Sequence, residues 1–314
     1  MDPQLATNRS LWDERVALHL ESEFYDVEGF KAGRPALLPH EVDELGPLDG
    51  LSVLHLQCHF GLDTLDLARL HPTARVTGLD FSAPAVAAAT DLARELRLED
   101  RARFVLGDVY RAADLMGGER FDVVYTGKGA LPWLPDLDRW AEVVAGLLTP
   151  GGYLYFTELH PVAEVLDEAH PVPVRDYFAT EPQVTEVSGS YAVQEASTAN
   201  NASYQWRHPI AQVLGALLGA GLHLELFHEW DFALDNLHRW LVRGQDRRFR
   251  WPAGGGTLPL LYSIKALKKA PEAPATHAAE RVIARSGVAR LRAPEGVGDA
   301  LSQGAGFEFF QGDR

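Results

Sequence analysis

Residues 51–61 read LSVLHLQCHFG and join a short apolar run to a turn. The apolar run at 51–56 has the length and composition of a buried strand. The turn QCHFG occupies residues 57–61, and the leucine-rich stretch at 61–70 then has helical spacing. A strand that passes through a tight turn into a helix predicts the first βα unit of an α/β domain.

The same alternation of strands and helices continues on the carboxyl side of this unit. Further strands are predicted at 75–80, 103–107, 121–126 and 153–157, and helices at 83–96 and 136–148. After an interruption the pattern resumes with a helix at 209–218 and strands at 222–227 and 258–267. This alternation is typical of a parallel, doubly wound α/β sheet of the Rossmann-like type.

Changes in composition divide the chain into segments with different expected roles. The expected division is a helical N-terminal lid at 1–48, the cofactor-binding half of the Rossmann-like domain at 49–160, a β-rich substrate-side insertion at 161–207, the remainder of the Rossmann-like domain at 208–268 and a poorly ordered tail at 269–314. The insertion is rich in Pro, Val and Tyr without helical spacing, and the tail begins with a linker-like APEAPAT.

Composition limits the classes of partner. The chain has 314 residues, of which 46% are hydrophobic and 23% charged, so it can bury a sizeable core. Its formal net charge of −15 disfavours non-specific binding to nucleic acid and to anionic membranes. We therefore expect a small-molecule partner, with no nucleic acid and no membrane. A homodimer is an open alternative, to which the apolar end FEFF at 307–310 could contribute.

Cysteine usage and the N-terminus indicate the cellular compartment. Cys58 is the only cysteine, which excludes an internal disulfide framework and a cysteine-rich zinc site. The chain has no apolar run long enough for a transmembrane helix, and its N-terminus has early charges in place of a signal peptide's apolar region. The expected location is cytoplasmic. The histidines have no metal-ligand spacing, so no metal site is predicted.

Two acidic residues follow predicted strands where a nucleotide could bind. Asp80 closes the second strand, and Asp108 follows the third. The carboxyl ends of parallel strands form the ligand-binding edge of such sheets, where an acid can accept both hydroxyls of a ribose. Asp108 could accept from an adenine amino group, while the turn at 57–61 offers backbone N–H groups to an anion.

This ordered series resembles the class I S-adenosylmethionine-dependent methyltransferases. VLHLQCHFG at 53–61 stands where that family usually has VLDLGCGTG, and the family's later motifs match GLDFS at 78–82, GDV at 107–109, FDVVYT at 121–126 and LTPGGYLYFTE at 148–158. More narrowly, the chain resembles a branch of small-molecule methyltransferases that combines HLQCHFGLDT with SLWDER-like and FYDVEGF-like segments, here at 10–15 and 24–30. The resemblance implies a seven-stranded sheet whose last strand is antiparallel, with S-adenosylmethionine as cofactor.

The turn departs from the family pattern at three positions. His55 replaces the usual acid of the first strand, and Gln57 and His59 replace two of the three glycines. We expect these two side chains to replace backbone contacts by bonding the cofactor's carboxylate. Asp63 could reach the cofactor's amino group, or it could simply favour the first turn of a helix. The expected cofactor-binding residues are Trp12, Tyr25, Gln57, His59, Gly61, Asp63, Asp80, Phe81, Asp108, Val109 and Thr126.

Histidine is the side chain best suited to take a proton from a hydroxyl or ammonium acceptor. His160 follows the fifth strand in FTELHP, and Glu158 could orient it or bind the substrate. His208, between the insertion and the next helix, is the second candidate. The alternative for all three is a structural role at the end of a strand or helix. The predicted function is methyl transfer to an O or N atom of a small molecule; the alternatives are a non-methylating activity on the same fold, such as cyclisation, and a non-catalytic role.

Overall fold

The computed structural model describes residues 2–270. In chain order the strands are β1 (Ser52–Leu56), β2 (Arg75–Asp80), β3 (Ala102–Leu106), β4 (Phe121–Gly127), β5 (Leu148–Leu159), β6 (Gln183–Glu186), β7 (Ala202–Gln205), β8 (Leu222–Trp230), β9 (Phe232–Ala233), β10 (Val242–Arg243), β11 (Phe249–Arg250) and β12 (Leu261–Lys268). The α-helices are α1 (Pro3–Leu20), α2 (Val27–Lys31), α3 (Pro39–Leu45), α4 (Leu62–Leu70), α5 (Ala83–Glu95), α6 (Ala112–Leu115), α7 (Leu137–Leu147), α8 (Pro161–Glu164) and α9 (Ile210–Gly219).

Seven strands form the central sheet in the order β3-β2-β1-β4-β5-β12-β8. Strands β1 to β5 are parallel, and β12 runs antiparallel to both β5 and β8. The order reverses at β1, so β1 and β4 flank the switch point at which such sheets bind ligands. The predicted doubly wound sheet of seven strands, with the last strand antiparallel, is confirmed.

Helices cover both faces of the sheet because each has an apolar side to bury. Helix α7 begins after Asp136, whose side chain accepts the N–H of Arg139, and it buries Trp140 completely against the sheet. Helix α5 begins after Ser82 in the same way and packs Ala89 and Leu92 inward. A side-chain acceptor at the start of a helix satisfies one of its free N–H groups. The two helices therefore begin where the sheet's carboxyl edge lies.

The N-terminal helix α1 is attached to the insertion by paired polar contacts. The Asn8 amide donates to the Tyr204 carbonyl at 2.8 Å and accepts the Tyr204 N–H at 2.9 Å, as an adjacent strand would. Arg15 is buried and donates to the carbonyls of Asn200 at 2.9 Å and Val187 at 3.0 Å. Helix α1 and the hairpin of the insertion are thus joined into one unit, which we call the cover.

Three features differ from the sequence-based expectation. The β structure predicted for the insertion is a single hairpin, β6 with β7, and much of the segment between 165 and 182 is turn or irregular. A three-stranded sheet of β10, β11 and β9 was not predicted, because strands of two residues have no readable alternation. Strand β5 begins at Leu148, earlier than expected, because Leu148 already pairs with Phe121.

The predicted tail at 269–314 lies almost entirely outside the described residues. Among residues 2–270, no helix combines the length and the apolar character needed to cross a bilayer.

Candidate functional site

The turn between β1 and α4 holds a left-handed backbone at three alternate positions. The φ angles are 56° at Gln57, 51° at His59 and 79° at Gly61. A residue with a side chain pays about 1–2 kcal/mol of conformational free energy in the left-handed region, so glycine usually occupies it. At Gly61 a Cβ atom would also meet the Phe104 ring at 2.6 Å. The turn therefore has the backbone conformation of a glycine-rich turn, although only one of its three left-handed residues, Gly61, is a glycine.

Asp80 links this turn to the start of α5. Its Oδ2 accepts the His59 N–H at 2.7 Å, and its Oδ1 accepts the Ser82 N–H at 2.9 Å. The carboxyl is buried, and burial raises its pKa to about 6. Asp80 thus lies at the predicted edge of the sheet, directly beside the turn.

The other residues predicted at this edge have different surroundings. Phe81 is half-buried, and Asp108 accepts the Tyr110 N–H at 2.9 Å to begin a short 3-10 turn. The Val109 side chain packs into the main hydrophobic core, and the fully buried Thr126 hydroxyl donates to the Leu56 carbonyl at 3.0 Å. Both side chains are used inside the fold, and the expectation that Val109 and Thr126 bind the cofactor stays a prediction.

Asp63 belongs to a partly buried ion cluster. Lys128 Nζ lies 2.9 Å from Asp63 Oδ1 and 3.0 Å from Glu41 Oε2, and the Tyr125 hydroxyl donates to Glu41 Oε1 at 2.8 Å. Lys128 offsets two carboxylates, and this pairing is what makes their burial tolerable. Asp63 Oδ1 is thus engaged by the amino group of Lys128, a residue that no sequence motif marks, and the expected contact between Asp63 and an amino group of the cofactor stays a prediction.

The side chains that replace the turn glycines have partners within the protein. Gln57 Nε2 donates to the Ala130 carbonyl at 2.9 Å, and His59 Nε2 lies 2.9 Å from His19 Nδ1. Three side-chain atoms near the turn are buried without any hydrogen-bond partner, namely Asp13 Oδ1, His19 Nε2 and Gln57 Oε1. Buried polar atoms without partners are uncommon in folded proteins.

Aromatic rings from separate segments meet above the turn, and we call them the aromatic cluster. The Trp12 ring lies 5.3 Å from His59 and 5.1 Å from Trp133 between centroids. His19 lies 5.2 Å from Tyr25 and 5.1 Å from Tyr191, and the two tyrosine hydroxyls are in contact. The aromatic cluster consists of Trp12, His19, Tyr25, His59, Trp133 and Tyr191. Tyr191 comes from the insertion, where no sequence pattern marks it.

The predicted catalytic Glu158 holds a loop in place. Its carboxylate accepts the N–H groups of Gly129 at 2.6 Å, Ala130 at 2.8 Å and Leu131 at 2.9 Å, and also that of Leu159 at 2.7 Å. Burial raises its pKa to about 6, although these four contacts oppose that change. Glu158 therefore anchors the loop after β4, and its four hydrogen bonds go to backbone N–H groups and not to His160.

The two predicted catalytic histidines also have partners at both ring nitrogens. His160 Nε2 lies 3.1 Å from Glu229 Oε1, and its Nδ1 accepts the Val162 N–H at 3.2 Å. His208 Nε2 donates to the Leu134 carbonyl at 2.8 Å, and its Nδ1 lies 3.3 Å from Gln212 Oε1. Each ring would have to release a partner before it could take a proton from a substrate.

Two of these three residues line one small cavity. Glu158 and His208 face it together with Glu164 and Tyr262, and its volume of about 10 Å³ is enough for a single water molecule. Burial raises the pKa of Glu164 to about 7. A larger open groove of about 560 Å³ lies between α1 and the insertion and is lined by none of the predicted site residues. Glu164 and Tyr262 were not predicted as site residues, because neither belongs to a sequence motif.

Comparisons with known proteins identify the central region. Residues 54–154 match a family model described as a methyltransferase domain. An alignment of 102 residues with a trans-aconitate 2-methyltransferase of Deinococcus radiodurans is 39% identical. It spans 32% of this chain and 35% of that protein. An alignment of 103 residues with an uncharacterized Synechococcus protein is 35% identical. It spans 33% of this chain and 24% of that protein. The matches thus span between a quarter and about a third of the length of these relatives.

A solved structure described as an S-adenosylmethionine-dependent methyltransferase from Listeria monocytogenes has the same fold. It superposes with a TM-score of 0.53 at 19% identity and covers 73% of this chain and 96% of that one. Together, the family match over residues 54–154 and the seven-stranded sheet with its antiparallel β12 show that the chain contains a methyltransferase domain with the Rossmann-like methyltransferase fold.

Proposed function

We propose that the chain transfers a methyl group from S-adenosylmethionine to an O or N atom of a small-molecule acceptor. The observation that carries the proposal is the turn at Gln57, His59 and Gly61. Two side chains are kept there in a left-handed backbone that glycine would adopt without strain. Strain of this kind persists where a site requires the geometry.

The residues around the turn fit a polar, positively charged nucleoside. Asp80 lies at the strand end where an acid binds ribose hydroxyls, and the partnerless atoms of Asp13 and Gln57 are oxygens that can accept from such a ligand. When bound, the cofactor supplies a methyl group activated by a sulfonium. Asp80, Asp108 and Gln57 would hold it, with the aromatic cluster above the turn.

The chain's contribution to the reaction is chiefly positioning. Holding two reactants in line can lower the activation free energy by several kcal/mol, and by up to about 7–11 kcal/mol in well-oriented systems. Glu158 fixes the loop that carries Trp133, and the Trp133 ring contacts Trp12 on the cover. A direct proton-transfer role for His160, Glu158 or His208 stays a prediction.

A small acceptor is supported by the name of one relative and by the net charge of the chain. A Deinococcus relative is named for methylation of trans-aconitate, a small molecule. The formal net charge of −15 argues against a nucleic-acid acceptor.

A product assay tests the proposal. Purified protein would be incubated with S-adenosylmethionine and a panel of small hydroxyl and amine compounds, and S-adenosylhomocysteine release would be measured. Acceptor-dependent release supports methyl transfer. Cofactor binding without release for any acceptor, but with conversion of a compound to an isomer, would favour the non-methylating alternative. Absence of cofactor binding would favour a non-catalytic role.

A further inference from the structure

The three-stranded sheet carries a concentration of positive charge in an acidic chain. Residues 239–250 contain five arginines and one acid, Asp246, whereas the whole chain has a formal net charge of −15. These residues include β10, a turn and β11, and we call them the basic hairpin. A local reversal of charge attracts anions that the rest of such a surface repels. The arginines are Arg239, Arg243, Arg247, Arg248 and Arg250.

Nearby acids balance two of these arginines. Asp246 Oδ2 lies 2.8 Å from Arg250 Nη2 and 3.9 Å from Arg248 Nε. Hydrogen bonding by Asp246, and to a smaller extent the charge of Asp231, raises the pKa of Arg250. Two carboxylates thus stand against two guanidinium groups in this part of the basic hairpin.

Arg243 and Arg247 supply the excess of positive charge. The remaining arginine, Arg239, pairs with Glu168 at 3.0 Å. Within residues 2–270, no carboxylate forms an ion pair with Arg243 or Arg247, and both residues are exposed. The basic hairpin therefore carries two uncompensated positive charges.

Both of these arginines lie at the tip of the hairpin. The turn is closed by the Gly244 N–H, which donates to the Arg248 carbonyl at 2.8 Å, and by the Arg247 N–H, which donates to the Gly244 carbonyl at 3.1 Å. Arg243 precedes this turn and pairs with Phe249 on the other strand. The two charges are thus placed on the two sides of one fixed turn.

Aromatic rings orient guanidinium groups in the basic hairpin. Arg243 Cζ lies 5.9 Å from the centre of the Phe249 ring, and Arg248 Cζ lies 4.1 Å from the centre of the Phe232 ring. A guanidinium group over a ring keeps its N–H donors at its edge, where they match the paired oxygens of a carboxylate or phosphate. The chemistry that fits the tip is therefore an oxyanion.

The basic hairpin lies at the same edge of the central sheet as the candidate site. The Phe232 ring, which carries Arg248, lies 5.8 Å from the His40 ring, and His40 Nε2 lies 3.3 Å from Thr157 Oγ1. Thr157 pairs with Gly127 where β4 ends. Packed residues thus lead from the basic hairpin to the loop after β4.

The positive excess does not extend along this path. Around His40 the charges of Glu44 and Asp43 act against those of Arg248 and Lys128. The attraction for an anion is therefore confined to the tip of the basic hairpin.

We propose that Arg243 and Arg247 bind an anionic group, a carboxylate or a phosphate, of the small acceptor. This inference rests on the proposed function, since it names the chemical class of the acceptor. A chain with a net charge of −15 repels an anionic compound over most of its surface, so two uncompensated arginines supply the local attraction. The acceptor is then an acidic small molecule whose methylated O or N atom lies apart from the bound anionic group.

Calorimetric titration of the full chain with citrate and with pyrophosphate tests the anion site directly. Ionic strength is held constant with chloride, so that only the multivalent anion differs between titrations. We expect the chain to bind these anions, and the tighter of the two identifies carboxylate or phosphate as the preferred group. Absence of binding of both anions by the unmodified chain would overturn the inference.

A double variant assigns this binding to the tip. Arg243→Gln combined with Arg247→Gln removes both charges and should weaken anion binding about 3- to 10-fold. The matched control combines Arg94→Gln with Arg97→Gln, at and just after the end of α5. Both residues are exposed, and Arg97 has a left-handed backbone, as Arg247 has. The control should change anion affinity less than about twofold. Equal losses in the two double variants would reveal an effect of net charge alone and would overturn the inference.

The product assay connects the anion site with the acceptor. Its panel would contain hydroxy and amino acids together with their neutral amides. We expect the acids to react with a kcat/KM about 3- to 10-fold higher than that of the amides, a preference that the tip variant loses and the control keeps. Equal kcat/KM for acids and amides would overturn the inference while methyl transfer stands. If no compound releases S-adenosylhomocysteine, the proposed function fails and the inference about its acceptor fails with it, whatever the calorimetry gives.

Discussion

At the residue scale, Glu158 illustrates how one carboxylate can define a loop. Its two oxygens accept four backbone N–H groups, three of them from consecutive residues 129–131. These donors have no strand to pair with after β4 ends, so the carboxylate replaces the missing acceptors. The same loop presents the Ala130 carbonyl to Gln57. The loop's conformation therefore depends on the charge and shape of Glu158.

We predict that Glu158→Gln lowers the free energy of unfolding by about 2–4 kcal/mol. The amide keeps one oxygen, but its NH₂ group faces N–H donors that lose their acceptor. Urea unfolding followed by circular dichroism measures the change. Glu229→Gln is the control, because Glu229 is half-exposed and should cost less than about 1 kcal/mol. Equal small losses in both variants would contradict the structural role of Glu158.

Glu164 predicts a pH dependence of stability. Burial raises its pKa in the folded state from 4.5 to about 7. Between these values the folded chain holds more protons than the unfolded chain, so this group's contribution to stability falls as pH rises through the window. Below about pH 4.5 the group is protonated in both states and the penalty vanishes.

Glu164→Gln should therefore stabilise the protein at about pH 7.5 by on the order of 1 kcal/mol, and should have little effect near about pH 5. Unfolding free energies of both chains at the two pH values provide the measurement. A constant difference at both pH values would show that the Glu164 carboxyl titrates as it does in the unfolded chain.

Individual site residues were predictable only where a motif fixed their place. Asp80 is beside the turn because a strand end and a fixed spacing determine it. Thr126 and Asp63 have hydrogen-bond partners that the sequence does not show, because Leu56 and Lys128 reach them only in the folded chain. Tyr191 lies in a segment without periodicity, so its contact with His19 depends on tertiary packing alone.

At the element scale, helix α1 and the insertion stabilise one another. Arg15 serves two carbonyls of the insertion, and Glu14 accepts the N–H groups of Ala199 at 2.7 Å and Asn200 at 2.7 Å. Val187, Ala199 and Asn200 lie in irregular backbone, outside any strand or helix. Their backbone groups therefore lack the hydrogen bonds of regular secondary structure. The insertion's local stability should therefore depend on α1.

Arg15→Met should increase amide hydrogen exchange over residues 187–204 about tenfold or more, with little change in strands β1 to β5. The loss of buried, charge-assisted hydrogen bonds lowers local stability without opening the sheet. Hydrogen exchange read by mass spectrometry gives the result. Arg9→Met, an exposed position on the same helix, is the control. Faster exchange throughout the sheet would contradict a local role.

Long periodic elements were predicted closely, and short ones were not. Strand β2 and helix α5 follow the expected bounds almost to the residue, because apolar spacing and flanking turn residues agree. Strands β9, β10 and β11 each have only two residues. Their pairing comes from the packing of Phe249 and Trp251 around Leu241, which no local pattern records.

At the scale of the whole molecule, stability depends on the antiparallel strand β12. It pairs with β5 on one side and β8 on the other, and Ile264 is completely buried within it. Without β12, strand β8 would have no partner in the central sheet. A strand from the end of the described chain thus completes the fold begun by β1.

Ile264→Ala should lower the free energy of unfolding by about 2–5 kcal/mol, because the cavity it leaves has no means of closing. Leu224→Ala on the neighbouring strand is the matched control, since Leu224 is 46% exposed and should cost less than about 1 kcal/mol. Denaturant titration compares the two. A small loss for Ile264→Ala would mean that β12 contributes little to the core.

The central claim is that the edge formed by the turn and Asp80 binds S-adenosylmethionine. The most direct measurement is calorimetric titration of the unmodified chain, Asp80→Asn and Asp122→Asn with this ligand. Asp122 also anchors backbone, accepting the Ser52 N–H at 2.8 Å, but it lies at the opposite edge of the sheet. We predict binding that Asp80→Asn weakens at least about tenfold and Asp122→Asn leaves unchanged. No binding by the unmodified chain, or equal losses in the two variants, would contradict it.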